Sequence, residues 1–127
     1  MKARNTIAMV AIAVMLTACA SLYTATCTIT QVVDAGMRDW AQLSVAGKTS
    51  YAIDTAVIAA HDRYRQSCGV AQAALIAYKQ SGDQIEYVAA ISAVRAAADG
   101  LFAIITPMLT QTRADTLKAD LQKASAL

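Results

Sequence analysis

The 127-residue sequence holds one proline, one histidine, one tryptophan and one phenylalanine, and only 16% of its residues are charged. A single proline leaves long stretches without a helix breaker. No Asn-Gly or Asp-Gly pair separates two alternating apolar runs, so a hairpin-built sheet is not expected. There is no glycine-rich phosphate loop and no Cys-x-x-Cys pair. No cluster of basic residues appears either, which argues against nucleic acid as a partner. What the sequence has in quantity is alanine, the residue that costs least in a helix interior. An all-α fold follows as the expectation.

The first eighteen residues, MKARNTIAMVAIAVMLTA, differ from the rest. Lys2 and Arg4 give a basic start, and Ile7 to Leu16 is an uncharged apolar run of ten residues. As a helix that run rises only about 15 Å, half the hydrocarbon thickness of a bilayer. A basic start followed by a short apolar run is the pattern of a secretory signal, and the segment is expected to be a helix that packs little against the body. Three processing outcomes compete. Ala18-Cys19-Ala20 fits the small-x-small rule and would release a chain beginning at Ser21, while an uncut segment would remain as a membrane anchor.

The third outcome rests on Leu16-Thr17-Ala18-Cys19, which resembles the lipobox of bacterial lipoproteins at all four positions. The resemblance covers the first nineteen residues only and implies cleavage before Cys19, with acyl chains on its sulfur and usually on its new amino terminus. Two or three chains hold a protein durably where one does not. Residue 20 is alanine rather than the aspartate of inner-membrane retention, so in a Gram-negative envelope the resemblance implies the periplasmic face of the outer membrane. Small lipoproteins of this kind also occur on phages and prophages, in lysis or superinfection exclusion. The low proline count departs from the proline-rich outer-membrane spanins.

Loss of residues 1–18 removes Lys2 and Arg4 and leaves nine basic and nine acidic residues. The mature body is then neutral and of a length suited to one domain. Residues 19–28 show no periodicity and read as a lipidated tether; residues 29–127 read as a small antiparallel bundle of three to four helices. Thr28-Ile29-Thr30-Gln31 matches a capping box, followed by Ile29, Val33, Gly36, Trp40 and Leu43 at helical spacing and by Gly47 as a stop. A second helix is expected from Ser50, with Ile53, Val57, Ala60, Tyr64, Ser67, Ala71, Ala74 and Tyr78 inward, ending at Ser81-Gly82-Asp83. Asp83-Gln84-Ile85-Glu86 reads as an aspartate capping box opening a third helix, whose stripe is Tyr87, Ile91, Val94, Ala98, Leu101, Ile105 and Met108. Pro107 either kinks that helix or begins a fourth, in which Ala114, Leu117, Leu121 and Ala124 share a face. Asp115–Lys118 and Asp120–Lys123 are spaced to pair on its outer side.

Besides Cys19, the cysteines are Cys27 and Cys68. In an exported domain an even pair is expected to be bonded, the alternative being two separate buried thiols. The turn near Gly47-Lys48 lies almost midway between them, so an antiparallel hairpin brings them to one height. Such a bond would contribute about 4 kcal/mol in the chain-entropy account.

The side chains with chemical potential have mostly structural readings. His61, beside Asp62, has no serine, cysteine or metal partner at helical spacing. Asp54 and Asp62 lie more than two turns apart, and no Glu-x-x-His pattern suggests a metal pair. Arg63 and Arg65 flank Tyr64 as the solvated sides of a helix, although the pair could also bind a phosphate or a lipid headgroup. Cys68 shows no base that would make it a nucleophile. These absences point away from an enzyme; no catalytic residue, metal or cofactor is expected. A non-catalytic lipoprotein acting as a helical interaction module toward another envelope protein fits best. The alternative is a periplasmic carrier holding a small apolar ligand between helices, near Trp40 and Tyr51, Tyr64, Tyr78 and Tyr87.

Overall fold

The structure, a computed structural model, describes residues 28–125; the expected signal segment and all of the tether but Thr28, with Cys19 and Cys27, lie outside them. The described residues form an all-α helical bundle. The helices are α1 (28–45), α2 (Tyr51–Ser81), α3 (Ile85–Ile105) and α4 (Gln111–Ser125), with a 3₁₀ turn at Thr106–Met108.

The glycine and serine punctuation works as the spacing predicts. At the end of α1, Gly47 has φ +70°, and the amides of Gly47 and Lys48 donate to the carbonyls of Ser44 and Leu43. Those two bonds close the helix in the Schellman pattern, which favours glycine at the left-handed residue. The Ser50 hydroxyl accepts from the Ile53 amide and caps α2. Gly82, at φ +74°, ends α2. At about 46 Å, α2 is the longest element.

Three local expectations change. Thr28 is already helical, so it is not the N-cap, and the tether cannot extend through it; a Thr-x-x-Gln spacing suits a helix interior as well as its start. Asp83 accepts from the Ile85 amide, one residue earlier than a capping box requires, and α3 begins at Ile85 behind Gln84. On α4, Asp115 accepts from Gln111 rather than pairing with Lys118. Exposed pairs of that kind are worth so little that a neighbouring amide competes successfully. Pro107 is the second residue of the 3₁₀ turn Thr106–Met108, and α3 ends before it at Ile105.

The apolar stripes converge on one core. Ile29, Val33, Val57, Tyr64, Val94, Ala98, Leu101, Ile105, Leu117 and Leu121 are all buried in it. Helix α1 joins the other three: Thr30 bonds Tyr64 of α2, Gly36 meets Phe102 of α3, and Asp39 pairs with Arg113 of α4 at 2.6 Å. The last is half-buried, with the Arg113 side chain the more exposed of the two.

Gly36 permits the closest of these approaches. A Cβ at that position would stand 2.6 Å from the Phe102 Cε1 atom, so the buried Phe102 ring or one of the two helices would have to shift. Gly36→Ala should therefore destabilise the bundle. The helix-propensity gain of about 1 kcal/mol is outweighed by an overpacking cost of about 1–3 kcal/mol. Urea denaturation should show a lower midpoint for Gly36→Ala, recovered in part by adding Phe102→Leu.

Candidate functional site

The densest polar cluster lies at the turn between α1 and α2 and centres on Asp54. Its Oδ1 accepts from the Trp40 indole nitrogen at 2.8 Å and from the Thr49 hydroxyl at 2.7 Å; its Oδ2 accepts from the Ser44 hydroxyl at 3.1 Å. One carboxylate thus gathers two donors from α1 and one from the turn. The Thr49 hydrogen bond does most to lower its pKa below the ordinary 3.8, with Trp40 and Ser44 adding and partial burial opposing. The arrangement satisfies a carboxylate and leaves it no proton to exchange near neutrality.

A second cluster sits between α1 and α2 near the first described turn of α1. The Thr30 and Tyr64 hydroxyls lie 2.8 Å apart, and the Cys68 thiol is beside the tyrosine. Burial raises the Tyr64 pKa above its ordinary value, and the Thr30 hydrogen bond only partly offsets this. Tyr64 is thereby a neutral core phenol. His61 is half-buried on the next turn, its ring 6.2 Å from that of Tyr64. Asp62, Arg63 and Arg65 face solvent. Cys68 is half-buried with a free thiol, and its expected partner Cys27 is outside the described residues.

The aromatic residues expected to line a carrier's pocket pack instead. Trp40 is held by Asp54, Tyr64 fills the core, and Tyr78 stacks on buried Tyr87 at 6.1 Å. Tyr51 is exposed. The surface grooves lie elsewhere: one between α3 and α4 by Arg95, Phe102 and Lys118, another between α2 and α3 by Arg63, Val70 and Gly100. A third runs beside the α1–α2 turn by Leu43, Lys48 and Leu109. None of these three is lined by Trp40 or a tyrosine. Among the described residues no group of three His, Cys, Asp or Glu side chains could hold a metal ion.

In the sequence Asp54 stands out only by its distance from Asp62. Its role was faintly signalled by position, one turn into α2 and opposite the single tryptophan. Asp39 and Arg113, 74 residues apart, carried no signal at all. By length and composition Ile85–Met108, of mean hydropathy 1.8, could cross a membrane, although its inner face belongs to the bundle core. No protein-family model, curated protein or solved structure matches the chain.

Because the folded pKa of Asp54 is lowered, its contribution to stability is complete above the ordinary carboxylate value. It is lost as pH falls through the lower folded value. Asp54→Asn should reduce the urea midpoint at pH 6, and the gap from the parent protein should narrow on acidification to pH 3. An equal gap at both pH values would mean that the charge has no part in the cluster.

Proposed function

We propose that the chain is a bacterial lipoprotein whose helical bundle, held at a membrane by acylated Cys19, acts by contacting another component of the cell envelope. The observation that carries this reading is Leu16-Thr17-Ala18-Cys19, following a basic start and a short apolar run. Cysteine is scarce in the chain, and it stands at the one position where a lipobox requires it. The fold is compatible with a binding role. The polar side chains it gathers, Asp54 with its three donors and Tyr64 with Thr30, are engaged in joining helices. An anchored domain gains effective concentration at a surface, so modest contacts suffice for function. A lytic or exclusion role in a phage would be favoured by neighbouring holin or endolysin genes.

Cys19→Ser should abolish incorporation of labelled fatty acid and impair function even where the bundle still folds. His61→Ala should leave function intact. Persistent labelling after Cys19→Ser would remove the basis of the proposal, and loss of function without unfolding in His61→Ala would turn it toward an enzyme.

A disulfide between Cys27 and Cys68 belongs to the same exported reading, on the near-equal spacing of the two cysteines about the Gly47-Lys48 turn. Thr30 meets Tyr64 and Trp40 meets Asp54, ten residues on along α1 and ten back along α2. Cys27 lies outside the described residues, and Cys68 carries a free thiol in the structure. Alkylation of the unreduced mature protein should find no free thiol, and two after reduction.

A further inference from the structure

The register of α1 on α2 also places the two ends of the bundle relative to the start of α1, and so relative to the anchor. Thr30 opposite Tyr64 puts Thr28 level with Gln66, and α2 then runs on to Ser81 before turning into α3. Those fifteen residues rise about 22 Å beyond the level of Thr28. The tip of the α2–α3 hairpin therefore points back toward the side from which α1 begins. Nine residues separate Cys19 from Thr28, a span of at most about 32 Å at full extension. With the bundle upright, even a fully drawn-out connection leaves the tip about 10 Å from the surface holding Cys19, and any shorter one brings them together.

The side chains at that tip suit such a surface. Ile85 is 77% exposed, Ile76 55% and Val88 48%, and Lys79 stands among them. Ala73, Ala77 and Ala89 are exposed nearby. Large aliphatic side chains bared on one hairpin tip gain from leaving water, and a lysine beside them can keep its ammonium among headgroup phosphates. Asp83 and Glu86, exposed at the same turn, hold the tip at headgroup level rather than deeper. Val45 and Tyr51 are also exposed, but they lie at the opposite end, about 25 Å beyond Thr28, and reach the surface only if the bundle inverts and the connection is drawn out to most of its length.

We propose that the α2–α3 tip, through Ile76, Ile85 and Val88, rests in the lipid surface to which Cys19 is anchored. The bundle then stands with its α1–α2 turn and the Asp54 cluster directed away from the membrane, toward a partner. This rests on the acylation proposed above, and the test separates the two.

Full-length lipidated protein carrying Ile85→Trp is reconstituted into vesicles of phosphatidylethanolamine and phosphatidylglycerol with brominated acyl chains. Fatty-acid labelling of the same sample reads the anchor. The native Trp40 lies level with Asp54, about 40 Å along α2 from the tip, and serves as an internal reference. The expected result is loss of the emission added by Ile85→Trp, with the Trp40 emission retained. Labelled protein whose added emission survives overturns the tip contact while leaving the anchor standing; a tip made for a partner protein gives that result in pure lipid. Quenching of Trp40 instead shows the bundle inverted and overturns the orientation. Absence of label overturns the anchor and this orientation with it. Ile85 is exposed, so the substitution should leave the thermal transition unchanged.

Discussion

Asp54 holds the register on which the arrangement of the bundle depends. Three donors separated along the chain, Trp40, Ser44 and Thr49, meet a single carboxylate within hydrogen-bond distance. Helices coated with alanine and valine can slide against one another at little cost, because one small apolar side chain resembles the next. A carboxylate that needs specific donors cannot slide. With α1 and α2 fixed at that end, Thr30 and Tyr64 fall opposite one another two to three turns away, and Gly36 meets the Phe102 ring.

The small side chains bring the helices close, and close approach is what gives a domain of this size a core. Gly36, Ala60, Ala71, Ala90, Ala98 and Ala124 are buried at contacts where larger residues would hold the axes apart. Bulk comes from a few places: Phe102 and Tyr64 with the aliphatic residues around them. Tyr64 is accepted in the interior because Thr30 meets its hydroxyl, so burial leaves a satisfied phenol. The same economy leaves apolar side chains uncovered at the two ends of the bundle, at Val45 and Tyr51 and again at Ile76 and Ile85. Ile58 and Val70, on the flank of α2, are bared as well.

Much of this was legible in the sequence. The stripes of α2, α3 and α4 were, because burial of one face imposes a periodicity that the residues themselves display. So were the stops at Gly47 and Gly82, where the backbone enters the left-handed region, and the start at Ser50, whose hydroxyl reaches Ile53. Helix boundaries without such chemistry were less legible. Thr28 and Asp83 both matched capping spacings, yet one lies inside a helix and the other caps a residue early. A short polar pattern is compatible with several local geometries, and packing chooses among them.

By itself, then, the sequence determined the helical class, the inward face of each helix and the glycine-closed turns, since each follows from interactions within a few residues along the chain. Only the tertiary structure decided that Asp54 would gather Trp40, Ser44 and Thr49, that Gly36 would admit Phe102, and that Asp39 would meet Arg113. Those choices depend on how far one helix is displaced along another. Periodicity repeats with every turn, so it marks which face is buried and is silent on which turn meets which.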